Sequence, residues 1–149
     1  MRFLAFLATV LLFACNVEVK TDSGLPIKGT WQLFSATLVE NGDSTTTEYT
    51  KDKKFIKIIN DSHFSFTSHD LAHGKDSATA AFSAGAGSYT LKDSTYTESL
   101  EFCSAREWEG HDFTFTVTIR NDTLVQSGVE KIEGTNVNRL NIEKYVRVK

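Results

Sequence analysis

The sequence is poor in several residue types and motifs, and each shortage excludes a class of protein. It has only two cysteines, so at most one disulfide bond can form and stability must come from a packed core. Its 16 basic residues are outnumbered by 19 acidic ones and form no run, which argues against a nucleic-acid partner. The long uncharged stretch at residues 3–14 is too short to span a bilayer, which needs roughly 20 apolar residues.

The first fifteen residues have the features of an export signal. Arg2 precedes the uncharged run, which ends at Cys15, and this order is typical of a secretory signal peptide. Residues 12–15, LFAC, resemble a bacterial lipobox, which has an aliphatic residue, then a small one directly before the cysteine that is lipidated. The resemblance implies a lipoprotein signal peptide over residues 1–15 and acyl chains on Cys15. The alternative is an ordinary cleaved signal that ends by chance at a cysteine.

A polar segment follows the cysteine. Residues 16–28 include Gly24 and the only proline, Pro26, and we interpret them as a flexible tether. The tether would hold a single domain, residues 29–149, away from the membrane. We therefore expect the protein in the bacterial cell envelope, lipid-anchored to a membrane, with the outer membrane favoured.

The pattern of residues 29–149 predicts β-strands throughout. Thr, Ser, Val, Ile, Phe and Tyr dominate, and helix formers never gather at a spacing of 3.6 for more than a turn. Turn residues separate eight predicted strands, near residues 29–40, 48–60, 62–70, 78–91, 94–104, 111–120, 123–132 and 138–148. Several connections are so short that they can join only antiparallel neighbours. We predict an all-β domain whose eight antiparallel strands close into an up-and-down barrel, with a two-sheet sandwich as the alternative.

Alternation along the strands divides their residues between two faces, without showing which face points into the barrel. The last strand has an apolar face, with Leu140, Ile142, Val146 and Val148, and a polar face, with Asn141, Glu143, Tyr145 and Arg147.

The segment Gly85-Ala86-Gly87 lies between strand-like stretches with no helix after it, which favours a bulge or sharp bend over a phosphate-binding loop.

Both ends of the domain resemble the lipocalin (calycin) superfamily. Gly29-x-Trp31 opens the first strand, and Arg147 lies near the end of the last one. The resemblance implies that Trp31 lies at the barrel floor, that Arg147 packs across its ring by a cation–π contact, and that the first strand lies beside the last. Residues 54–66, 85–91 and 96–102 are similar to lipocalin-like bacterial lipoproteins. This resemblance implies a fold and a cellular location, but it implies no enzymatic activity or ligand.

Two glutamates are the candidates for a functional site. Glu98 and Glu143 lie in the middle of strands, each two residues from a tyrosine, Tyr96 or Tyr145. If both point inward they form a polar patch with Arg147, because a buried carboxylate needs a partner. Three interpretations remain open: a polar anchor for a ligand, a structural ion pair, and a general acid/base pair. The ligand-binding candidates are Trp31, Tyr96, Glu98, Glu143, Tyr145 and Arg147.

Other chemistry has little support in the sequence. His69 and His73 could approach a metal on a helix, but here they fall where a strand runs into a turn at Gly74, so we interpret them as solvated. A haem with one axial histidine occurs in related calycins, but no histidine is singled out for that role. No Ser-His-Asp pattern or nucleophile elbow is present. We therefore predict no catalytic residue, no metal and no cofactor.

The function predicted from the sequence is binding. We expect a membrane-anchored envelope lipoprotein that binds a small, partly apolar or amphipathic ligand inside its barrel. Its predicted partners are that ligand and, through acylated Cys15, a membrane, with no nucleic acid. The second hypothesis is an interaction or structural module whose filled barrel takes no ligand, and the third is an enzyme.

Overall fold

The structure is a computed structural model that describes residues 24–149. Cys15 and most of the predicted tether lie outside this range. The described part contains one short 3-10 helix, Arg106–Trp108, and no helix there is long and apolar enough to cross a membrane. Its nine strands are β1 (Gly29–Glu40), β2 (Asp43–Glu48), β3 (Lys53–Ile59), β4 (His63–Asp70), β5 (Phe82–Lys92), β6 (Thr95–Cys103), β7 (His111–Arg120), β8 (Thr123–Lys131) and β9 (Asn138–Arg147).

The strands form one closed antiparallel barrel. Each strand from β3 to β8 pairs with the next strand in sequence, and β9 pairs with β1 along most of its length. Strand β1 pairs with β3 over its first residues and with β2 over its later ones, so β2 and β3 together fill one position. The nine segments therefore make an eight-stranded up-and-down barrel, and the predicted fold class is confirmed.

The second predicted strand differs from the observed one. We predicted one strand near residues 48–60, but β2 already begins at Asp43, and residues 49–52 interrupt the strand before β3. Asn41 and Gly42 both have positive φ, 52° and 90°, as a two-residue hairpin turn requires. The turn starts β2 at once, although the strand is polar and mostly exposed on both faces and so gives little hydrophobic signal.

One loop is longer than we predicted. The fourth predicted strand was expected from residue 78, but the corresponding strand, β5, starts at Phe82. The carboxylate of Asp70, the last residue of β4, accepts hydrogen bonds from the backbone N–H groups of Gly74 (2.9 Å) and Ala81 (3.1 Å). These bonds lower the pKa of Asp70, Gly74 contributing most. The two bonds hold Gly74 and Ala81 of the loop next to the end of β4. Pairing of β5 with β4 therefore begins only after residue 81.

One end of the barrel, which we call the floor, is closed by buried side chains. It is formed where β1 begins and β9 ends, with Trp31 opposite Arg147 in the register. Trp31 is fully buried, and its Nε1 donates a hydrogen bond to the carbonyl of Ile27 at 2.7 Å. The buried apolar core to which Trp31 belongs includes Ile27, Ile59, Phe64, Tyr96, Val117 and Leu124. The buried Lys57 of β3 lies opposite Trp31 in the register.

Arg147 closes the floor over the tryptophan. Its guanidinium carbon lies 4.0 Å from the centroid of the Trp31 ring, the cation–π contact that the resemblance implied. Nη1 donates to the carbonyl of Lys28 (2.7 Å) and Nη2 to that of Pro26 (2.6 Å), so residues 24–28 lie against this end of the barrel. Gly29 has a φ of 136°, and a Cβ there would come within 2.6 Å of Nη1 of Arg147. The glycine therefore leaves the space that the guanidinium occupies.

The predicted irregularity in the fifth strand is a β-bulge. The register between β5 and β6 shifts between Ala86 and Gly87. A Cβ on Gly87 would come within 1.9 Å of the carbonyl oxygen of Ser99, so only glycine fits where the two backbones approach.

Candidate functional site

The half of the barrel away from the floor encloses a cavity of about 320 Å³. This is within the size range of small-molecule sites. Partly or fully exposed lining residues, among them Ser104 and Trp108, mark where the cavity meets solvent. Its walls are apolar rings and chains interrupted by charged and polar groups: Phe55, Phe66, Leu100, Trp108, Phe113, Phe115 and Tyr145 with Lys57, Glu98, Gln126, Glu130, Arg139 and Glu143, among others.

The polar face of β9 points into the barrel. Asn141 and Tyr145 are buried, whereas Val146 on the opposite face is 41% exposed. This arrangement is the reverse of ordinary hydrophobic burial, and these polar groups find partners close by. Arg139 and Asn141 bond Glu130 on the adjacent strand β8, and Tyr145 bonds Glu143 on β9 itself.

Lys57 lies at the base of the cavity, and sequence reasoning missed it. Its side chain is 3% exposed and forms an ion pair with Glu98. Its Nζ also donates to Oε1 of Gln126 at 3.1 Å. The ammonium lies 5.5–5.7 Å from the centroids of three rings, those of Phe64, Tyr96 and Tyr145. A signal was available, because β3 alternates so that Lys57 shares the inward face of Phe55 and Ile59.

A second charged pair lies nearer the solvent end. Arg139 Nε donates to Oε2 of Glu130 at 2.8 Å, and Asn141 Nδ2 donates to the other carboxylate oxygen at 2.7 Å. The guanidinium of Arg139 also lies 5.2 Å from the centroid of the Trp108 ring. Neither Glu130 nor Arg139 was a candidate, because their pairing depends on the register of β8 with β9, which places them directly opposite each other.

Glu143 differs from the other two carboxylates of the cavity. It is partly exposed, lines the cavity, and accepts a hydrogen bond from the Tyr145 hydroxyl at 2.8 Å. Burial raises the pKa of Glu143, with Glu130 and Glu98 adding to the rise and Lys57 opposing it. Burial and the neighbouring Glu143 likewise raise the pKa of Tyr145 well above its ordinary value. The tyrosine therefore stays a hydrogen-bond donor to the carboxylate.

The structure separates the six predicted ligand-binding candidates into three groups. Glu98, Glu143 and Tyr145 line the cavity. Tyr96 is fully buried beneath it, where burial and Glu98 raise the pKa of its hydroxyl. Trp31 and Arg147 lie at the floor, and neither is among the residues that line the cavity.

The contacts also bear on the chemistry open to these groups. Glu98 is engaged by Lys57, which fits the structural ion pair among the three interpretations of the sequence. Glu143 has a raised pKa and faces the cavity, so it can exchange a proton or accept a hydrogen bond there. Within residues 24–149, no group of three or more His, Cys, Asp or Glu side chains is arranged to hold a metal ion.

Comparison with known proteins returned no relative. A scan against protein-family models found no match, and a search of curated proteins found none either. The functional argument therefore depends on the barrel and its cavity.

Proposed function

We propose that this protein binds one small, partly apolar ligand inside a lipocalin-like barrel while acyl chains on Cys15 anchor it in the bacterial cell envelope. The observation that carries the binding proposal is the cavity of about 320 Å³ lined by side chains of the barrel. A barrel that served only as a structural module would need no such space, and filling it with side chains would add stability.

The walls of the cavity indicate the general character of the ligand. Phe55 stacks on Phe66, with ring centroids 5.4 Å apart and planes 10° from parallel, and both rings form part of the apolar wall. Glu98 and Glu143 line the same cavity as polar groups that would fix the orientation of the ligand. An apolar enclosure with a few polar groups is the usual composition of a small-molecule site.

Binding is tested with the full chain in nanodiscs of zwitterionic lipid, titrated calorimetrically with 1-naphthylmethanol after subtraction of empty nanodiscs. We expect saturable binding at one site per chain. Ser83 lines the cavity, so Ser83→Phe should fill part of it and weaken binding about tenfold or more. Ser44→Phe adds the same ring on an exposed residue of β2 and should leave affinity unchanged. Absence of saturable binding would favour the structural-module hypothesis.

The anchor is tested separately. Lipidation at Cys15 predicts that the wild-type chain partitions into membranes and that Cys15→Ala does not, because each buried methylene contributes about 0.8 kcal/mol. Cys103→Ala is the matched control and should partition like the wild type. Equal partitioning of the Cys15 variant and the wild type would remove the lipid anchor from the proposal.

A further inference from the structure

The charges around the cavity do not balance among themselves. Its lining includes three carboxylates and two cations: Glu98, Glu130 and Glu143 against Lys57 and Arg139. Lys57 is paired with Glu98, and Arg139 with Glu130. In the described part of the chain, Glu143 has no ion pair, only the hydrogen bond from Tyr145. When Glu143 is ionised, the cavity therefore holds one uncompensated negative charge.

A hydrogen-bond acceptor in the same region also lacks a donor. Asn141, on the same face of β9 as Glu143, is only 6% exposed, and its Oδ1 accepts no hydrogen bond from any described residue. Its Nδ2 is already used by Glu130. A buried acceptor without a donor is costly. Asn141 does not line the cavity, however, so the need for a positively charged partner rests on Glu143.

Aromatic rings surround the position that such a partner would occupy. The ring of Phe55 lies 6.1 Å from that of Tyr145, centroid to centroid, and it stacks on Phe66. All three rings line the cavity with Glu143. Ring faces attract cations and also cover apolar groups, so one wall suits both parts of an amine with an apolar body.

We propose that the ligand is a small organic cation, an amine with an apolar body, whose ammonium group pairs with Glu143 inside the cavity. This inference rests on the proposed binding function and specifies its ligand class. The apolar body lies against Phe55 and Phe66. The ammonium supplies the positive charge that the three carboxylates and two cations leave missing.

The proposed ion pair between Glu143 and the ammonium group makes the affinity for the ligand depend on pH. The ionisable groups near Glu143 are Lys57 on β3, Glu98 on β6, Glu130 on β8, Tyr145 on β9, and Tyr49 between β2 and β3. Because the pKa of Glu143 is raised, its carboxyl ionises at a higher pH than that of an ordinary glutamate, and the ammonium binds the ionised form. Affinity for an amine should therefore rise with pH through the range in which Glu143 titrates, whereas affinity for a neutral alcohol should not.

The experiment compares three probes of one shape: 1-naphthylmethylamine, 1-naphthylmethanol and 1-naphthoate. Each is titrated into the full chain in zwitterionic nanodiscs, with empty nanodiscs subtracted. We expect the amine to bind about tenfold more tightly than the alcohol, and the carboxylate most weakly, because a charge-assisted hydrogen bond is roughly twice as strong as a neutral one. Glu143→Gln should remove the advantage of the amine, and Glu48→Gln, on the exposed surface of β2, should keep it.

The outcomes separate this inference from the proposed function. If the alcohol or the carboxylate binds at least as tightly as the amine, the cavity binds ligands but the ligand class is wrong. If no probe binds saturably, both proposals fail. If circular dichroism shows that Glu143→Gln does not fold, the pH series on the wild type decides, and an amine affinity that does not rise with pH overturns the inference.

Discussion

The two halves of the barrel use opposite means to fill the same kind of space. At the floor, Trp31 belongs to an apolar core and has the guanidinium of Arg147 across its ring, and its one polar atom is satisfied by a backbone carbonyl. In the cavity half, Lys57 and Glu98 are buried as a pair beside space that no side chain fills. Dense apolar packing contributes stability, whereas buried ion pairs contribute little net stability but leave charge available in a low-dielectric site. We therefore expect the floor to hold the fold and the cavity half to bind.

The largest expected effect tests the floor. Trp31→Ala should lower the free energy of unfolding by roughly 3–5 kcal/mol, because truncating a buried aromatic residue leaves a void. Chemical denaturation measures the loss. Phe34→Ala, which removes a ring that is 41% exposed on the same strand, should cost far less. Equal losses from both variants would mean that the floor is no more important to stability than the outer surface.

The next effect tests the cavity half. Lys57→Met should destabilise the protein by about 3 kcal/mol, because Glu98 would remain buried without its cation. Adding Glu98→Gln should recover much of that loss, since the second change removes the uncompensated charge. Denaturation of both single variants and the double variant gives the coupling free energy. Strictly additive losses would show that the two side chains act independently.

A smaller effect distinguishes stability from binding. Arg147→Met should lower the free energy of unfolding by about 2 kcal/mol, because it removes charge-assisted hydrogen bonds to two backbone carbonyls. Affinity for 1-naphthylmethanol should stay at the wild-type value, since Arg147 does not line the cavity. A large loss of affinity with unchanged stability would instead make Arg147 part of the binding site.

The smallest effect is a pH dependence of stability. The folded-state pKa of Glu143 is raised from 4.5, so folding favours its protonated form. Its contribution to stability is complete below about pH 4.5 and is lost as the pH rises through the raised value. Glu143→Gln removes this loss, so its stability relative to wild type should increase with pH over that window. Thermal melts across the pH range measure the difference in stability between Glu143→Gln and wild type. A difference that does not change with pH would contradict a raised pKa of Glu143.

The fold was more predictable than the site, for reasons visible in single residues. Phe113, Phe115 and Val117 alternate with exposed neighbours, and β7 was predicted with its exact bounds. The alternation of β9 was equally clear, but its inward face is the polar one, whose partners on β8 and on β9 itself the alternation does not show. Lys57 pairs with Glu98 and Gln126, and the latter is 69 residues away in the chain. Local patterns therefore predict strands, whereas a buried polar network follows only from the closed barrel.

The contacts of Arg147 also constrain how the chain folds. Its hydrogen bond to the carbonyl of Pro26 joins residues 121 positions apart, and β1 finds its partner β9 across nearly the same distance. Closing so long a loop costs conformational entropy before any contact is gained, and such topologies fold slowly. During synthesis, the barrel cannot close until the ten residues of β9 have been made. A chain truncated before Asn138 would leave β1 and β8 with unpaired edges, which are prone to aggregate.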